Sequence, residues 1–274
     1  MNAAARITKG FSWLAKHLPG YVKGTFGYQH FHGWSGSGQA EARSYWGSRT
    51  SGTGQSRVLW QNEQYNALIR GPQREVLRRF IAGLPENSAI LDIGCGIGVL
   101  AKIITEIHRT AIIHAVDFAE MVGVAQQENP SPRIRYISGA AEDYLPPNQH
   151  YNAILSAGCY SAFRDISKLE QGLDNAVTLL ASKGVLILID PFHRWNYLAR
   201  AKYSSGQVTR YLTRRGLRRI HKGGMLFWPY RERLADSVLS GERLNEAFAE
   251  GERLLARLGQ HLWADYKVLV FEKP

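Results

Sequence analysis

Apolar residues in the middle of the chain come in short blocks that alternate with amphipathic stretches. Short blocks rich in Ile, Leu, Val and Ala predict buried β-strands, and the longer stretches between them predict helices. The predicted strands are 89–93, 111–116, 134–137, 151–156 and 185–189, and the predicted helices are 98–108, 119–128 and 166–182. Repeated strand–helix units of this kind predict a doubly wound α/β fold with a mostly parallel sheet and helices on both faces.

The first 71 residues lack this alternation, and we expect them to form an N-terminal extension to an α/β domain at 72–274. Composition and spacing indicate three segments in the extension, the last of which continues into the domain. In order, these are an amphipathic helix at 4–18, a lid or linker rich in glycine, serine and aromatic residues at 24–54, and a helical pattern at 55–82 that breaks at Gly71 and Pro72. A proline inside a helical pattern predicts such a break.

The composition excludes several classes of protein. A hydrophobic fraction of 45% is ordinary for a globular protein and excludes a mainly disordered chain. The most apolar run ends at Asp190 and is far shorter than the roughly 20 residues that span a bilayer. Two cysteines, Cys95 and Cys159, are too few for a disulfide framework in 274 residues, and no signal peptide is recognisable. We therefore expect a cytoplasmic protein.

The net charge of +11 is concentrated in the flanks of the chain. Residues 194–233 contain eleven Lys and Arg but one acidic residue, and aromatic residues are interleaved with them. We expect this segment to face an anionic ligand. Guanidinium groups bind phosphate and carboxylate through paired hydrogen bonds, although a solvated basic helix face is the alternative. The candidate ligand-binding arginines are Arg214, Arg215, Arg218 and Arg219.

A glycine-rich turn follows the first predicted strand, in the sequence LDIGCGIG of residues 91–98. Its glycines let backbone N–H groups approach a ligand at the start of the next helix. Asp117 ends the second predicted strand 19 residues after Gly98, where a carboxylate can accept both hydroxyls of a ribose. A dinucleotide fingerprint would place the third glycine one residue later. Asp92 can brace the turn or hold an ammonium group.

Together these motifs resemble those of class I S-adenosylmethionine-dependent methyltransferases, of the type 11 or ubiquinone-biosynthesis-like group. The resemblance covers about 72–181 and, more loosely, the final strand at 266–274, and it includes DFAEM at 117–121 and GAAED at 139–143. It implies a Rossmann-like fold, S-adenosylmethionine as cofactor, S-adenosylhomocysteine as product and methyltransferase activity. It also implies that the basic segment at about 194–233 is an insertion on the substrate side of the domain. The cofactor-binding residues that it implies are Asp92, Gly94, Cys95, Gly96, Gly98, Asp117, Phe118, Met121, Ala141 and Glu142.

Methyl transfer requires an aligned nucleophile and, for an alcohol or phenol acceptor, a base with a near-neutral pKa. Side chains that meet the acceptor are expected beyond the carboxyl ends of the fourth and fifth strands. At these positions His193 is the candidate base and Tyr160 the candidate neighbour of the methyl group. His30 and His32 are alternatives on a lid, and their spacing without a nearby cysteine makes them a poor metal site, so no metal is expected.

Three classes of acceptor stay open, as does the oligomeric state. The first is a small-molecule or glycan/lipid-type acceptor, anionic and reached at the inner membrane surface through helix 4–18 with Trp13, although such a helix can instead pack over a cofactor pocket. The second is RNA or DNA, which basic and aromatic residues favour, but SAGCY at 156–160 lacks the Asn/Asp-Pro-Pro-aromatic motif of many base-amino methyltransferases. The third is a non-catalytic methyltransferase-like binding protein, which the intact glycine turn and Asp117 disfavour.

Overall fold

The computed structural model describes residues 39–163, 165–192 and 203–274. Seven strands form one sheet in the order β3-β2-β1-β4-β5-β7-β6. The strands are β1 Ala89–Ile93, β2 Ile112–Asp117, β3 Ile134–Ser138, β4 Tyr151–Ala157, β5 Leu180–Asp190, β6 Arg218–Phe227 and β7 Ala264–Glu272. Strands β1 to β5 are parallel, and β7 lies antiparallel between β5 and β6. This arrangement confirms the predicted α/β fold class.

Helices cover both faces of the sheet. The α-helices are α1 Gln39–Arg49, α2 Glu63–Ile81, α3 Val99–Ile107, α4 Ala119–Glu128, α5 Ile166–Leu179, α6 Ser205–Arg214, α7 Trp228–Leu234, α8 Gly241–Leu258 and α9 Gln260–Trp263, with short 3₁₀ helices at Gly54–Arg57 and Tyr160–Ala162. Core side chains of α2, α3 and α8 pack on one face, and those of α5 and α6 pack on the other. None of the helices in the described ranges is long and apolar enough to cross a membrane.

Strand β5 shows why the central strands were recognisable from sequence. Val185, Ile187 and Ile189 belong to the core on the α2 face, whereas Leu186 and Leu188 belong to the core on the α5 face. A strand buried on both sides has apolar residues at every position. Four of the five parallel strands lie within one residue of their predicted bounds, and β5 begins earlier because Leu180 already pairs with β4.

The predicted break at Gly71 and Pro72 is wrong, because α2 continues through both residues. Proline in a helix interior costs about 3 kcal/mol. Burial of apolar side chains on either side of Pro72, including Ile69 and Leu77, offsets this cost. The helix begins at an N-cap, Asn62, whose side chain accepts a hydrogen bond from the backbone of α2.

The structure also decides the segments after β5. Residues 218–227, inside the predicted basic insertion, form the edge strand β6. Residues 242–248 lie within helix α8. Residues 39–49 form α1, within the segment predicted to be an irregular lid or linker. The predicted helix at 4–18, with Trp13, and the two lid histidines, His30 and His32, lie outside the described residues.

Candidate functional site

The turn between β1 and α3 is shaped by its three glycines. Gly94, Gly96 and Gly98 all have a positive φ, of 71°, 55° and 82°, which L residues rarely adopt. Surrounding side chains also leave no room for a Cβ atom, which at Gly94 would overlap Cys159 and at Gly98 would overlap Tyr136. The backbone of the turn is therefore held close against its neighbours at the carboxyl end of β1.

Asp117, at the carboxyl end of β2, closes this turn. Its Oδ2 accepts a hydrogen bond from the Gly96 N–H at 2.7 Å, and its Oδ1 accepts one from the Phe118 N–H at 2.7 Å. Burial raises the pKa of Asp117 to about 6, while the two backbone donors favour the ionised form. Each carboxylate oxygen has a second lone pair, so Asp117 can still accept the hydroxyls of a ribose.

Two further buried carboxyl groups lie at the ends of β1 and β5. Asp92 and Asp190 are 1% and 0% exposed, and burial raises the pKa of each to about 7. Within the described part of the chain, neither Oδ2 atom has a hydrogen-bond partner, whereas Asp190 Oδ1 accepts one from the Ser161 N–H. Burial also raises the pKa of Glu142. These carboxyl ends therefore form an acidic region suited to a cation.

Residues 54–62, here termed the cover segment, pack against the glycine turn. A Cβ placed on Gly96 would lie 2.9 Å from Val58 Cγ1, so the two residues are in contact. The Trp60 ring packs edge-on against the rings of Tyr65 and Tyr266. Tyr266 Oη in turn would lie 3.7 Å from a Cβ on Gly158, at the end of β4. The cover segment thus extends from the glycine turn to the ends of β4 and β7.

Arg70 is a site residue that the sequence did not single out. It lies on α2, and its Nε donates to Gln55 Oε1 at 2.7 Å while its Nη1 donates to Gln73 Oε1 at 2.8 Å. Burial lowers the pKa of Arg70 to about 10. The nearby phenol of Tyr266 and carboxyl of Asp92 act in the opposite direction and limit this decrease. An amphipathic pattern cannot distinguish a buried arginine from a solvated one, so no local signal could have found it.

The structure describes one of the two predicted catalytic residues, Tyr160. Tyr160 is fully buried in the core beside α5, where its hydroxyl donates to the Gly172 carbonyl at 3.0 Å. Burial raises the pKa of Tyr160 well above its usual value of 10. The Tyr160 hydroxyl therefore has a protein partner in the core, and the place of Tyr160 beside the methyl group stays a prediction. His193 lies outside the described residues.

The other implied cofactor residues lie around the turn and the start of α4. Met121 and Ala141 are buried, Phe118 is half-buried, and Cys95 is a buried free thiol whose pKa burial raises. The Gly139 N–H donates to the Asp117 carbonyl, which brings the loop after β3 to the same end of the sheet. No three His, Cys, Asp or Glu side chains in the described ranges are grouped to hold a metal ion.

The four candidate arginines lie at the opposite end of the sheet. Arg218 forms an ion pair with Glu272 of β7. Glu272 lies opposite Val185 in the β5–β7 ladder, whereas Lys267 lies opposite Asp190, at the carboxyl end of β5. The stretch of β7 from 267 to 272 separates the two ends by about 16 Å. Arg215 pairs with Asp174. The structure therefore does not bring Arg214, Arg215, Arg218 and Arg219 to the glycine turn, and their expected contact with the acceptor gains no support.

Comparison with known proteins identifies the domain. Residues 90–184, about a third of the chain, match a family model described as a methyltransferase domain. The chain therefore contains a methyltransferase domain over these residues. The matched segment contains the glycine turn and Asp117, so the geometry above belongs to this domain. S-adenosylmethionine is the cofactor of class I methyltransferases, and one similar structure is a complex with S-adenosyl-L-homocysteine.

The similar proteins have different acceptors in their names. A tRNA1(Val) (adenine(37)-N6)-methyltransferase of Pedobacter heparinus is 35% identical over 86 residues, which cover 30% of this chain and 36% of that protein. The chain thus spans about a third of the curated relative that it matches. The N-methyltransferase NodS of Bradyrhizobium japonicum has a TM-score of 0.51 at 15% identity, over 74% of this chain and 87% of NodS.

A protein of Galdieria sulphuraria described as a sarcosine dimethylglycine methyltransferase has a TM-score of 0.57 at 15% identity. The match covers 85% of this chain and 98% of that protein. At these identities the two structural likenesses show a shared fold.

The site fits S-adenosylmethionine by its chemistry. This molecule has a ribose, a sulfonium and an α-amino acid group, and when bound it supplies the activated methyl group. Asp117 can accept the ribose hydroxyls, and the unpartnered Oδ2 of buried Asp92 is suited to the ammonium group. Phe118 and Met121 follow Asp117 at the place where the family resemblance puts the adenine.

Proposed function

We propose that this protein is an S-adenosylmethionine-dependent methyltransferase that acts on a small-molecule or glycan/lipid-type acceptor. The observation that carries the proposal is the glycine turn closed by Asp117 at the carboxyl ends of β1 and β2. Catalysis by such a domain consists mainly of aligning acceptor and cofactor, which is worth about 7–11 kcal/mol. The free thiols of Cys95 and Cys159 support a cytoplasmic location as part of the same proposal.

The cover segment supports a small acceptor. Val58 contacts the glycine turn and Trp60 packs against Tyr266 of β7. A segment held there would exclude water from the place of transfer and limit the space for an acceptor. The acidic groups at these strand ends, Asp92 and Asp190, favour a cationic cofactor over a highly anionic acceptor held in the same place. The anionic character of the acceptor stays a prediction, as does the role of His193 as the base.

An RNA acceptor is the second candidate. Its support is the 86-residue match to a tRNA methyltransferase, together with the basic residues of α6 and β6. These basic residues lie away from the turn, so they would hold an RNA backbone and leave the methylated base to reach the site separately.

The ribose contact of Asp117 tests cofactor binding. We expect Asp117→Ala to weaken S-adenosylhomocysteine binding by about 10- to 100-fold, because hydrogen bonds to a charged group are removed. Isothermal titration calorimetry of the full chain measures this, with Asp174→Ala, a surface acid, as the matched control. Asp117→Asn keeps an acceptor oxygen for one of the two backbone donors, and its stability beside that of Asp117→Ala separates weaker binding from a loosened turn. Equal affinity in Asp117→Ala and the wild type would contradict the ribose assignment.

Transfer of a tritium-labelled methyl group into separated cell fractions tests the acceptor class. Lipid, polysaccharide, nucleic-acid and small-metabolite fractions are each incubated with the protein and labelled cofactor. Label in the small-metabolite, lipid or polysaccharide fraction, absent with Asp117→Ala, is the expected result. Label confined to RNA would select the second candidate, and cofactor binding with no label in any fraction would favour the non-catalytic binding protein.

A further inference from the structure

Arg70 carries a positive charge that no hydrogen-bonded carboxylate cancels among the described residues. Its two hydrogen-bond partners, Gln55 and Gln73, are neutral amides. The acids whose charges act on Arg70 are Asp92 and Glu63, and the carboxylate of Glu63 already accepts two backbone hydrogen bonds from the cover segment. A guanidinium with a pKa of about 10 stays charged at neutral pH. Arg70 is thus a charged, fixed group at the acidic end of the sheet.

The position of Arg70 relative to the glycine turn follows from the cover segment. The Gln55 carbonyl accepts hydrogen bonds from the backbone N–H groups of Val58 and Leu59, at 3.0 and 2.8 Å, so 55–59 form one tight turn. One end of this turn holds Arg70 through the Gln55 side chain, and the other end contacts Gly96 through Val58. Arg70 and the glycine turn are therefore neighbours across the same short piece of chain.

The two amides also leave a defined part of the guanidinium available. Nε and one hydrogen of Nη1 are used, which leaves both hydrogens of Nη2 and the second hydrogen of Nη1 without a partner among the described residues. Two parallel N–H groups on adjacent nitrogens match the two oxygens of a carboxylate. Buried Gln73, 2% exposed, keeps this edge from rotating.

Resting on the proposed function, we propose that Arg70 binds the carboxylate of the amino-acid part of the cofactor while Asp92 accepts from its ammonium group. Both charged groups of an α-amino acid sit on one carbon, so their binding site needs a cation and an acid close together. Arg70 and Asp92 satisfy this, because Asp92 leads into the glycine turn and Arg70 is held beside the same turn through Gln55 and Val58. Asp92 is buried and Arg70 half-buried, and the charge of each acts on the other. Because Arg70 also donates to Gln55, this contact with the carboxylate would link the cover segment to the cofactor.

Two ligands that differ only in the amino-acid part test the proposal. We expect Arg70→Met to weaken S-adenosylhomocysteine binding by about 10- to 100-fold in calorimetry, and to leave binding of 5′-methylthioadenosine, which lacks the amino acid, within about twofold of wild type. Arg74→Met is the matched control, because Arg74 lies one turn further along α2 and pairs with Glu106 on the surface. Arg70→Lys keeps the charge without the fork and should lie between the two.

The outcomes separate this proposal from the proposed function. Failure of the wild-type chain to bind S-adenosylhomocysteine contradicts the proposed function itself. Normal binding by wild type together with equal affinity in Arg70→Met overturns the role of Arg70 alone. Equal weakening of both ligands in Arg70→Met and Arg70→Lys also overturns it, because that result indicates support of the turn rather than contact with the carboxylate.

Discussion

At the scale of single residues, the site is defined by carboxyl groups that are buried before a cationic ligand binds. Burial raises the pKa of Asp92 and Asp190 to about 7 and that of Asp117 to about 6, from an ordinary value of 3.8. The folded state therefore binds protons that the unfolded state has released between the ordinary and the raised pKa. Stability of the cofactor-free protein falls as the pH rises through this window, which ends near pH 7.

Asp92→Asn should remove one part of this pH dependence. Asparagine cannot ionise, so the free energy of unfolding of the variant lacks the decrease that Asp92 causes in the wild type. We therefore expect the difference in free energy of unfolding between variant and wild type to be about 2–3 kcal/mol larger at pH 8 than at pH 5, with most of the increase below pH 7. Urea unfolding of the cofactor-free protein at several pH values measures this gain. Asp174→Asn, a half-exposed acid, is the control. A gain that is equal at pH 5 and pH 8 would show that packing, not charge, is responsible.

At the scale of elements, the cover segment is positioned by polar contacts to its backbone. The Arg49 guanidinium donates to the carbonyls of Ser56, Arg57 and Leu59, and the Glu63 carboxylate accepts from the backbone of the segment. The predicted helical pattern over 55–82 is wrong for 55–62, because helix α2 begins at Glu63. Polar contacts to the backbone leave no periodic apolar pattern, so the sequence could not show this segment. Its apolar contacts, through Val58 and Trp60, are few and point to distant residues.

A double-mutant cycle tests the packing of the cover segment on the glycine turn. Gly96→Ala should destabilise the protein by about 2–3 kcal/mol, because φ is positive and Val58 Cγ1 occupies the space for Cβ. The same change in a Val58→Ala background should cost about 1 kcal/mol less. Urea unfolding of the four proteins gives the coupling energy.

Gly123→Ala is the control for this cycle, since Gly123 lies in α4 with open space around it and alanine should stabilise the helix. Additive effects of Gly96→Ala and Val58→Ala, to within about 0.5 kcal/mol, would mean that the cover segment does not rest on the turn.

At the scale of the whole molecule, charge is divided between the two ends of the sheet. Acidic groups lie at the carboxyl ends of the parallel strands, whereas Arg215 and Arg218 lie toward the other end and pair with Asp174 and Glu272. A net charge of +11 therefore does not describe the electrostatics of the cofactor site. The basic end can attract a polyanion independently of methyl transfer.

Replacing Arg214, Arg215, Arg218 and Arg219 with alanine separates these two ends. We expect S-adenosylhomocysteine affinity to stay within about twofold of wild type, because the substituted residues are remote from the turn. Non-specific binding of single-stranded RNA, followed by fluorescence anisotropy, should weaken. The salt dependence of this binding should also decrease. The slope of log K against log salt concentration should become less steep by about 0.7 for each phosphate that the variant no longer neutralises. The lysine quadruple variant keeps the charge as a control. A tenfold drop in cofactor affinity would contradict the placement of these arginines.

The sequence by itself determined the parallel part of the sheet and the cofactor motif. Strands β1 to β5 and the turn at 91–98 were predictable because their signals are local, namely unbroken apolar blocks, glycines where φ is positive, and an acid at a strand end. Asp117 could be assigned from spacing alone because β1 and β2 are adjacent parallel strands, whose carboxyl ends must meet.

The tertiary structure decided everything that depends on contacts between distant parts of the chain. The edge strand β6 pairs on one side only and its first residues are exposed, so it lacks the apolar pattern of the central strands. Helix α2 continues through Pro72 because packing outweighs local propensity. The Tyr160 hydroxyl donates to the Gly172 carbonyl inside the core, and Gln55 and Gln73 hold the Arg70 guanidinium one short turn away from Gly96. No local pattern encodes the tertiary partners of a polar or charged side chain, which is the physical reason why these two contacts could not be predicted from sequence.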